Sequence, residues 1–389
     1  MKRISSSDIK YGEPLPFSIH DTDGRLLLRK GYVINIPGHI EQLVRRGVLI
    51  GDKNSGNGAQ ASSTHSSSSS SSDSFRTSSP ASQPVYDRMD GLVLNLKHVL
   101  TTALKSPEQI DLPARIKGLA GSIQSLCLED LDSALAAPHL DTHNPYIVVH
   151  QIMGAILTEI IAGRKGLGTN ERLPLVCAAL TRDIGQLAIQ SALDKCDGPL
   201  PPALNQALLE HPTKGMEILS RAGIADDVWL NAMQQHHERL DGSGYPLKLR
   251  ATDVCLGARM LAIADSYSAM TKPRSYRNKA YHPQNALRDL YLKKDSHMDG
   301  ELIQALIKEI GMMPPGTIVK LKNGEIAVVK NRTAKMAGTT VYSVYDTKGM
   351  PLVSPIRRET QIPEFEITGM VALAECRSAA VTIKRLWVK

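Results

Sequence analysis

Apolar residues recur every three or four positions through Met89, Leu92, Val93, Leu96, Val99 and Leu100, the spacing of one helix face. Leu302, Ile303, Leu306, Ile307 and Ile310 repeat it, and the pattern predicts helices nearly throughout residues 86–313. After Pro314-Pro315-Gly316 the pattern becomes that of strands. Thr317 to Leu321, Ile326 to Val329 and Val341 to Tyr345, with an Asn323-Gly324 turn, predict a small β module over 314–389. Near the N-terminus, Leu15 to His20 and Arg25 to Leu28 read as two strands joined by Asp21-Thr22-Asp23-Gly24. Ile40, Leu43 and Val44 then follow helical spacing, with Gly47 at the expected end, giving a small α/β module over 1–51. Residues 52–85 differ from both neighbours. Seven consecutive serines, Ser66 to Ser72, sit among Gly, Ala, Thr and Pro, too little apolar surface to offset the entropy of ordering. This stretch reads as a flexible tether, with a phosphorylated regulatory segment as the alternative. The expected architecture is mainly α, an all-helical domain between two small modules.

Composition narrows the class. Of 389 residues, 42% are apolar and 22% charged, values of a globular protein rather than a disordered one. Aromatic residues are only 4%, which disfavours a fold that stacks bases on aromatic platforms. The longest apolar stretch, Ile147 to Gly163, is interrupted by His150, Gln151, Thr158 and Glu159 and reads as too short to span a membrane. The N-terminus lacks the apolar segment of a secretory signal. Five widely spaced cysteines without a C-x-x-C suggest neither disulfides nor a thiolate zinc site, so the expected compartment is the cytoplasm. The net charge of +7 is spread along the chain and suits an anionic small ligand, nucleic acid or a solvated surface about equally. No groove-reading motif or basic helix appears, which counts against nucleic acid.

The chemistry is concentrated between His150 and Arg277. His236 and His237 are adjacent and run into Glu238 and Asp241-Gly242-Ser243-Gly244-Tyr245-Pro246; His150 and His211 lie upstream. Asp183 and Asp265 sit in or beside apolar runs, where an ionised carboxylate is costly without a cation or donors. Imidazoles with carboxylates suit iron, manganese or zinc rather than calcium. Neighbouring histidines on a helix point about 100° apart, which would call for a site wrapping the helix or for two ions. Each residue alone has a structural reading: a satisfied core histidine, a helix-terminal aspartate, a buried acceptor. Together they favour a metal site.

The segment His236-His237-Glu238-Arg239-Leu240-Asp241-Gly242-Ser243-Gly244-Tyr245-Pro246 resembles the HHE-x-x-DG-x-GYP signature of bacterial HD-GYP proteins. His211-Pro212-Thr213-Lys214-Gly215 is similar to that family's H-P-x-x-G, and Ala264-Asp265 to Ala269-Met270-Thr271 to its AD-x-x-x-AMT. Arg274 and Arg277 match its basic pair. The resemblance covers roughly residues 86–313 and implies an HD-type helical fold and a metal-dependent phosphodiesterase for cyclic di-GMP, yielding the linear dinucleotide or GMP. It makes His150 and Asp265 ligands of one metal, Asp183 a bridge, and His211, His236 and His237 ligands of a second. Arg274 and Arg277 would hold phosphate oxygens. Tyr245, with Gly244 bending its loop, would cover the ligand or meet a GGDEF-domain diguanylate cyclase. No membrane or nucleic-acid partner is expected, and a homodimer is left open.

The sequence departs from the family where its H-D-x-G-K would stand, reading Arg182-Asp183-Ile184-Gly185-Gln186. Tyr146 stands where three-metal members carry a glutamate. A guanidinium offers no lone pair to a metal and keeps its charge. Arg182 is therefore expected to replace one metal by pairing with Asp183 or Asp265. That leaves one divalent ion instead of two or three, iron or manganese ahead of zinc. The alternative has Arg182 turned away, with water or a neighbour completing both sites. Asp183 and Gln186 stand in the family's catalytic positions, but Gln186 brings neither charge nor a usable proton. Hydrolysis is expected to be impaired or altered; the alternative is a non-catalytic cyclic di-GMP receptor or cyclase-binding scaffold.

Overall fold

The computed structural model describes residues 83–196, 198–272, 281–333 and 339–388, and residues 2–3, 5, 8–9, 15–20, 26–28 and 49–51 of the N-terminal region. The helix expected before Gly47, most of the serine-rich stretch, and Arg274 and Arg277 lie outside the described residues. The chain divides into two compact units, Met1–Phe75 and Arg76–Lys389.

In the first unit, β1 (Lys2–Arg3), β2 (Ser18–His20), β3 (Leu26–Leu28) and β4 (Leu49–Gly51) form an antiparallel sheet in the order β1-β4-β2-β3. β2 and β3 pair antiparallel, while the Asp21-to-Gly24 turn expected between them lies outside the described residues.

The second unit is mainly helical: α1 (Val85–Lys105), α2 (Leu112–Glu129), α3 (Leu131–Leu140), α4 (Tyr146–Arg164), α5 (Thr169–Thr181), α6 (Gln190–Asp194), α7 (Pro202–Leu209), α8 (His211–Arg221), α9 (Asp227–Gln234), α10 (Leu256–Thr271), α11 (Pro283–Leu292) and α12 (Gly300–Ile310). Local chemistry sets the ends. Asp111, Asp130, Asp226 and Asp299 each accept a backbone N–H in the first turn of α2, α3, α9 and α12, satisfying donors a helix start leaves open. Gly311, at φ 72°, terminates α12.

Helix α4 is the centre of the packing and is buried on every side from Ile147 to Ala162. It corrects the expectation from its polar residues, because its length and mean hydropathy would suffice to cross a membrane. Yet 89% of its apolar window is buried inside the fold, and His150, Gln151, Thr158 and Glu159 are buried with it. It is a core helix whose polar groups face protein rather than lipid.

The C-terminal strands β5 (Ile318–Leu321), β6 (Ile326–Val329), β7 (Thr340–Tyr345), β8 (Pro351–Glu359) and β9 (Ile367–Met370) form an antiparallel sheet ordered β8-β7-β6-β5-β9. Gly324, at φ 95°, makes the expected β5–β6 turn. Ile318, Val328 and Val344 join the helical core, while Val319, Leu321, Ala327, Val329 and Val341 build a smaller cluster on the opposite side of the sheet. A last helix, α13 (Ala380–Lys384), returns to α1: Trp387 stacks on Tyr86 with ring centroids 5.7 Å apart, and Lys384 Nζ lies 2.7 Å from an Asp87 carboxylate oxygen.

Candidate metal centre

Five segments converge on one buried place. His150 lies in the second turn of α4, Asp183 in the turn after α5, His211 at the start of α8, and Asp265 within α10. His236 and His237 follow the last residue of α9, in a turn. The expectation of two helical histidines facing about 100° apart is therefore corrected. With the helix ended at Gln234, both rings turn to the same side, their centroids 4.0 Å apart. The side chains fall into two groups, His211–His236–His237 and His150–Asp183–Asp265, each offering three ligand atoms within 4.8 Å of one another.

The three-histidine group offers lone pairs. The Nδ1 atoms of His211 and His236 each face a backbone carbonyl, Leu208 and Met233, at 2.5 Å. Both must donate there, which leaves each Nε2 with its lone pair. These two Nε2 atoms face each other across 3.4 Å. Two facing lone pairs at this separation are close enough for one divalent cation to bind both nitrogens. Asp183 Oδ1 stands 3.7 Å from His211 Nε2 and supplies a carboxylate beside them. Burial, reinforced by His211, pushes His236 down to about 4, and burial with His236 holds His237 well below the usual imidazole range. Both rings are neutral at pH 7, the form that binds metal.

The second group already holds a cation. Arg182 is 1% exposed. Its Nε donates to Asp265 Oδ1 at 3.1 Å and lies 3.4 Å from Asp183 Oδ2, while Nη1 and Nη2 donate to the carbonyls of Ala179 and His150 at 2.8 and 3.1 Å. His150 is engaged at both nitrogens, Nε2 with Asp265 Oδ1 and Nδ1 with the Ser268 hydroxyl, each at 2.8 Å. Burial raises the carboxylates, but His150 and Arg182 outweigh it and hold Asp265 well below its ordinary range; Arg182 and then His150 lower Asp183 likewise. The guanidinium thus supplies positive charge to both carboxylates of this group. Among the described residues Asp183 Oδ2 is buried without a hydrogen-bond donor, with Arg182 Nε 3.4 Å and His150 Nε2 3.9 Å away.

The Gly-Tyr-Pro loop closes over the histidines. The Tyr245 ring stacks on His237 at 4.7 Å, its backbone N–H donates to the His237 carbonyl at 3.3 Å, and Tyr245–Pro246 is cis. A Cβ on Gly244 would lie 2.5 Å from Glu238 Cα, so only glycine lets the loop pass this close. The Gln186 amide donates to the Gln190 side-chain oxygen at 2.8 Å. Tyr146 stacks on His150 at 5.1 Å.

Sequence reasoning missed three contributors. The Glu238 carboxylate accepts the N–H groups of Leu247, Lys248 and Leu249 at 2.6, 3.1 and 3.0 Å and so anchors the loop. Its place in the signature was the available signal. Ser268 orients His150 from one turn beyond Asp265 on α10. Gly154, one turn after His150 on a buried helix, packs directly against Arg182.

Residues 135–302 match a family described as HD domain. The chain is 29% identical over 220 residues to the cyclic di-GMP phosphodiesterase PA4108 of Pseudomonas aeruginosa, covering 56% of this chain and 52% of that protein. It is 29% identical over 208 residues to 3'3'-cGAMP-specific phosphodiesterase 3 of Vibrio cholerae, covering 52% of this chain and 45% of that protein. The matches thus span about half the length of these relatives. A solved structure of Bd1817, an HDG"Y"P protein from Bdellovibrio bacteriovorus, shares the fold with a TM-score of 0.51 at 17% identity, over 78% of this chain and 97% of that one. The grouped histidines and aspartates, the His236-to-Pro246 signature and these relatives agree: the chain carries an HD domain over residues 135–302 that is similar to those of HD-GYP proteins.

Proposed function

We propose that this chain is a cyclic di-GMP phosphodiesterase of altered, one-metal type, with cytoplasmic signalling as its setting. Its chemistry lies in residues 86–313, and its flanking modules carry the input and output. The observation that carries the reading is the buried Arg182 guanidinium, which sits between Asp183 and Asp265 where a second ion would otherwise be held. His211, His236, His237 and Asp183 would hold one divalent ion, iron or manganese ahead of zinc. Such an ion supplies Lewis-acid polarisation of a phosphate oxygen and lowers the pKa of water.

The chain's own residues do the remaining work. Arg182 keeps both carboxylates ionised and fixed. Tyr245 holds the His237 ring, and Glu238 holds the loop that carries Tyr245. Arg274 and Arg277 are assigned to the phosphate oxygens, for which paired guanidinium donors are suited. Gln186 cannot deliver a proton to the leaving oxygen, and each tenfold loss of rate corresponds to about 1.4 kcal/mol of barrier. The relative that acts on cGAMP makes the second base a variable to test rather than a given.

The closed Arg182 network also favours a second reading, a receptor that binds cyclic di-GMP without turnover or engages a GGDEF-domain cyclase through the Tyr245 loop. Two measurements separate these readings. Metal analysis of purified protein is expected to give one ion per chain. Incubation with cyclic di-GMP and manganese or ferrous ion is expected to give slow hydrolysis. Binding without product selects the receptor; two stoichiometric ions with fast turnover overturn the one-metal reading.

A further inference from the structure

We infer that Gly154 is a positioning residue that makes the seat for the Arg182 guanidinium, so that the two positions together build a permanent cation into the centre. The inference rests on the one-metal reading above and extends it to a residue outside the ligand set and the family signature. Helix α4 is buried from Ile147 to Ala162, and a glycine in the middle of such a helix weakens it relative to alanine. The reason for glycine is local. A Cβ at residue 154 would lie 2.9 Å from Arg182 Cζ and 3.0 Å from Nη2, with Nη1 closer still. Those atoms belong to a planar group pinned on its other sides by the carbonyls of Ala179 and His150 and by Asp265. The guanidinium therefore cannot slide sideways to admit a methyl group without giving up at least one of these bonds. A histidine at 182 has no atoms at the far end of the side chain and would leave the same space open. The arginine is thus fitted into α4 rather than left over in a damaged metal site, and its charge is present whatever the supply of metal.

The test is a pair of melting comparisons in excess chelator. In the wild-type background Gly154→Ala should lower Tm by about 5 °C or more. In the Arg182→His background the same change should leave Tm unchanged or raise it, because alanine is the better helix former. Equal losses in both backgrounds, or no loss in the wild type, would overturn the inference. If Gly154→Ala alone does not fold while Arg182→His does, the double variant decides: its folding supports the pairing and its failure to fold refutes it. Manganese counts read the reading beneath it separately. Wild type should bind one ion per chain and Arg182→His two. Two ions in the wild type would overturn the one-metal reading and leave the melting comparison to judge Gly154 on its own.

Discussion

Arg182 donates through Nε to Asp265 Oδ1 at 3.1 Å, in a place where the arginine is 1% exposed and the aspartate 9%. A charge pair at this depth contributes modestly when intact, but removing one member strands the other in a low-dielectric interior. Arg182→Met keeps length and removes charge, leaving Asp183 and Asp265 without their guanidinium. The expected cost is about 3–5 kcal/mol in metal-free urea unfolding. Manganese should restore part of it by supplying the missing cation, and a loss under 1 kcal/mol would show that the network is not needed for stability.

The buried histidines fix the pH response of the metal-free protein. His236 titrates at about 4 in the folded chain against an ordinary 6.5, because burial penalises its charged form. The unfolded chain therefore takes up a proton between these values while the folded one does not. Stability is full above about pH 6.5 and falls as pH drops towards 4, by about 3 kcal/mol from this residue. His150 and His237 are shifted the same way and steepen the fall. Urea unfolding in chelator at pH 8, 6.5 and 5 reads this directly, and a flat profile would contradict it.

Tyr245 touches the centre through the ring of His237. Groups that orient a metal ligand typically carry 10–100-fold in affinity. Tyr245→Ala should weaken manganese binding by that order in competition with a chelator. Tyr245→Phe, which keeps the stacked ring, should bind within about threefold of wild type. Equal loss in both variants would assign the effect to the hydroxyl instead.

Arg182→His with Gln186→Lys returns an imidazole and a proton donor to the two altered positions. Product analysis after incubation with cyclic di-GMP and manganese should show at least tenfold faster hydrolysis, equal to about 1.4 kcal/mol of barrier. Undiminished high activity in the parent chain would remove the basis for that gain.

The candidate ligands were legible from the motifs around them, and the fold gathers His211, His236 and His237 into one group and His150, Asp183 and Asp265 into another. Arg182 was legible as a departure, and its pairing with the aspartates follows from charge alone. Gly154 was not, since its partner lies 28 residues away and only packing relates them. Helix α4 defied periodicity because it is buried on all sides. Strand β8 gave no alternation either: Pro351 to Glu359 is an edge strand, largely exposed and punctuated by two prolines, and it pairs on one side only. The turn that aims His236 and His237 the same way depends on where α9 stops, a boundary no local residue announces.

The stack of Trp387 on Tyr86, with Lys384 against Asp87, makes the tail a clasp on the opening helix of its unit. Shortening the protein from its C-terminus would unfasten α1 at the same stroke. A defect seen in such a deletion would then report a loosened helical core, and mapping by truncation would credit the tail with work done elsewhere.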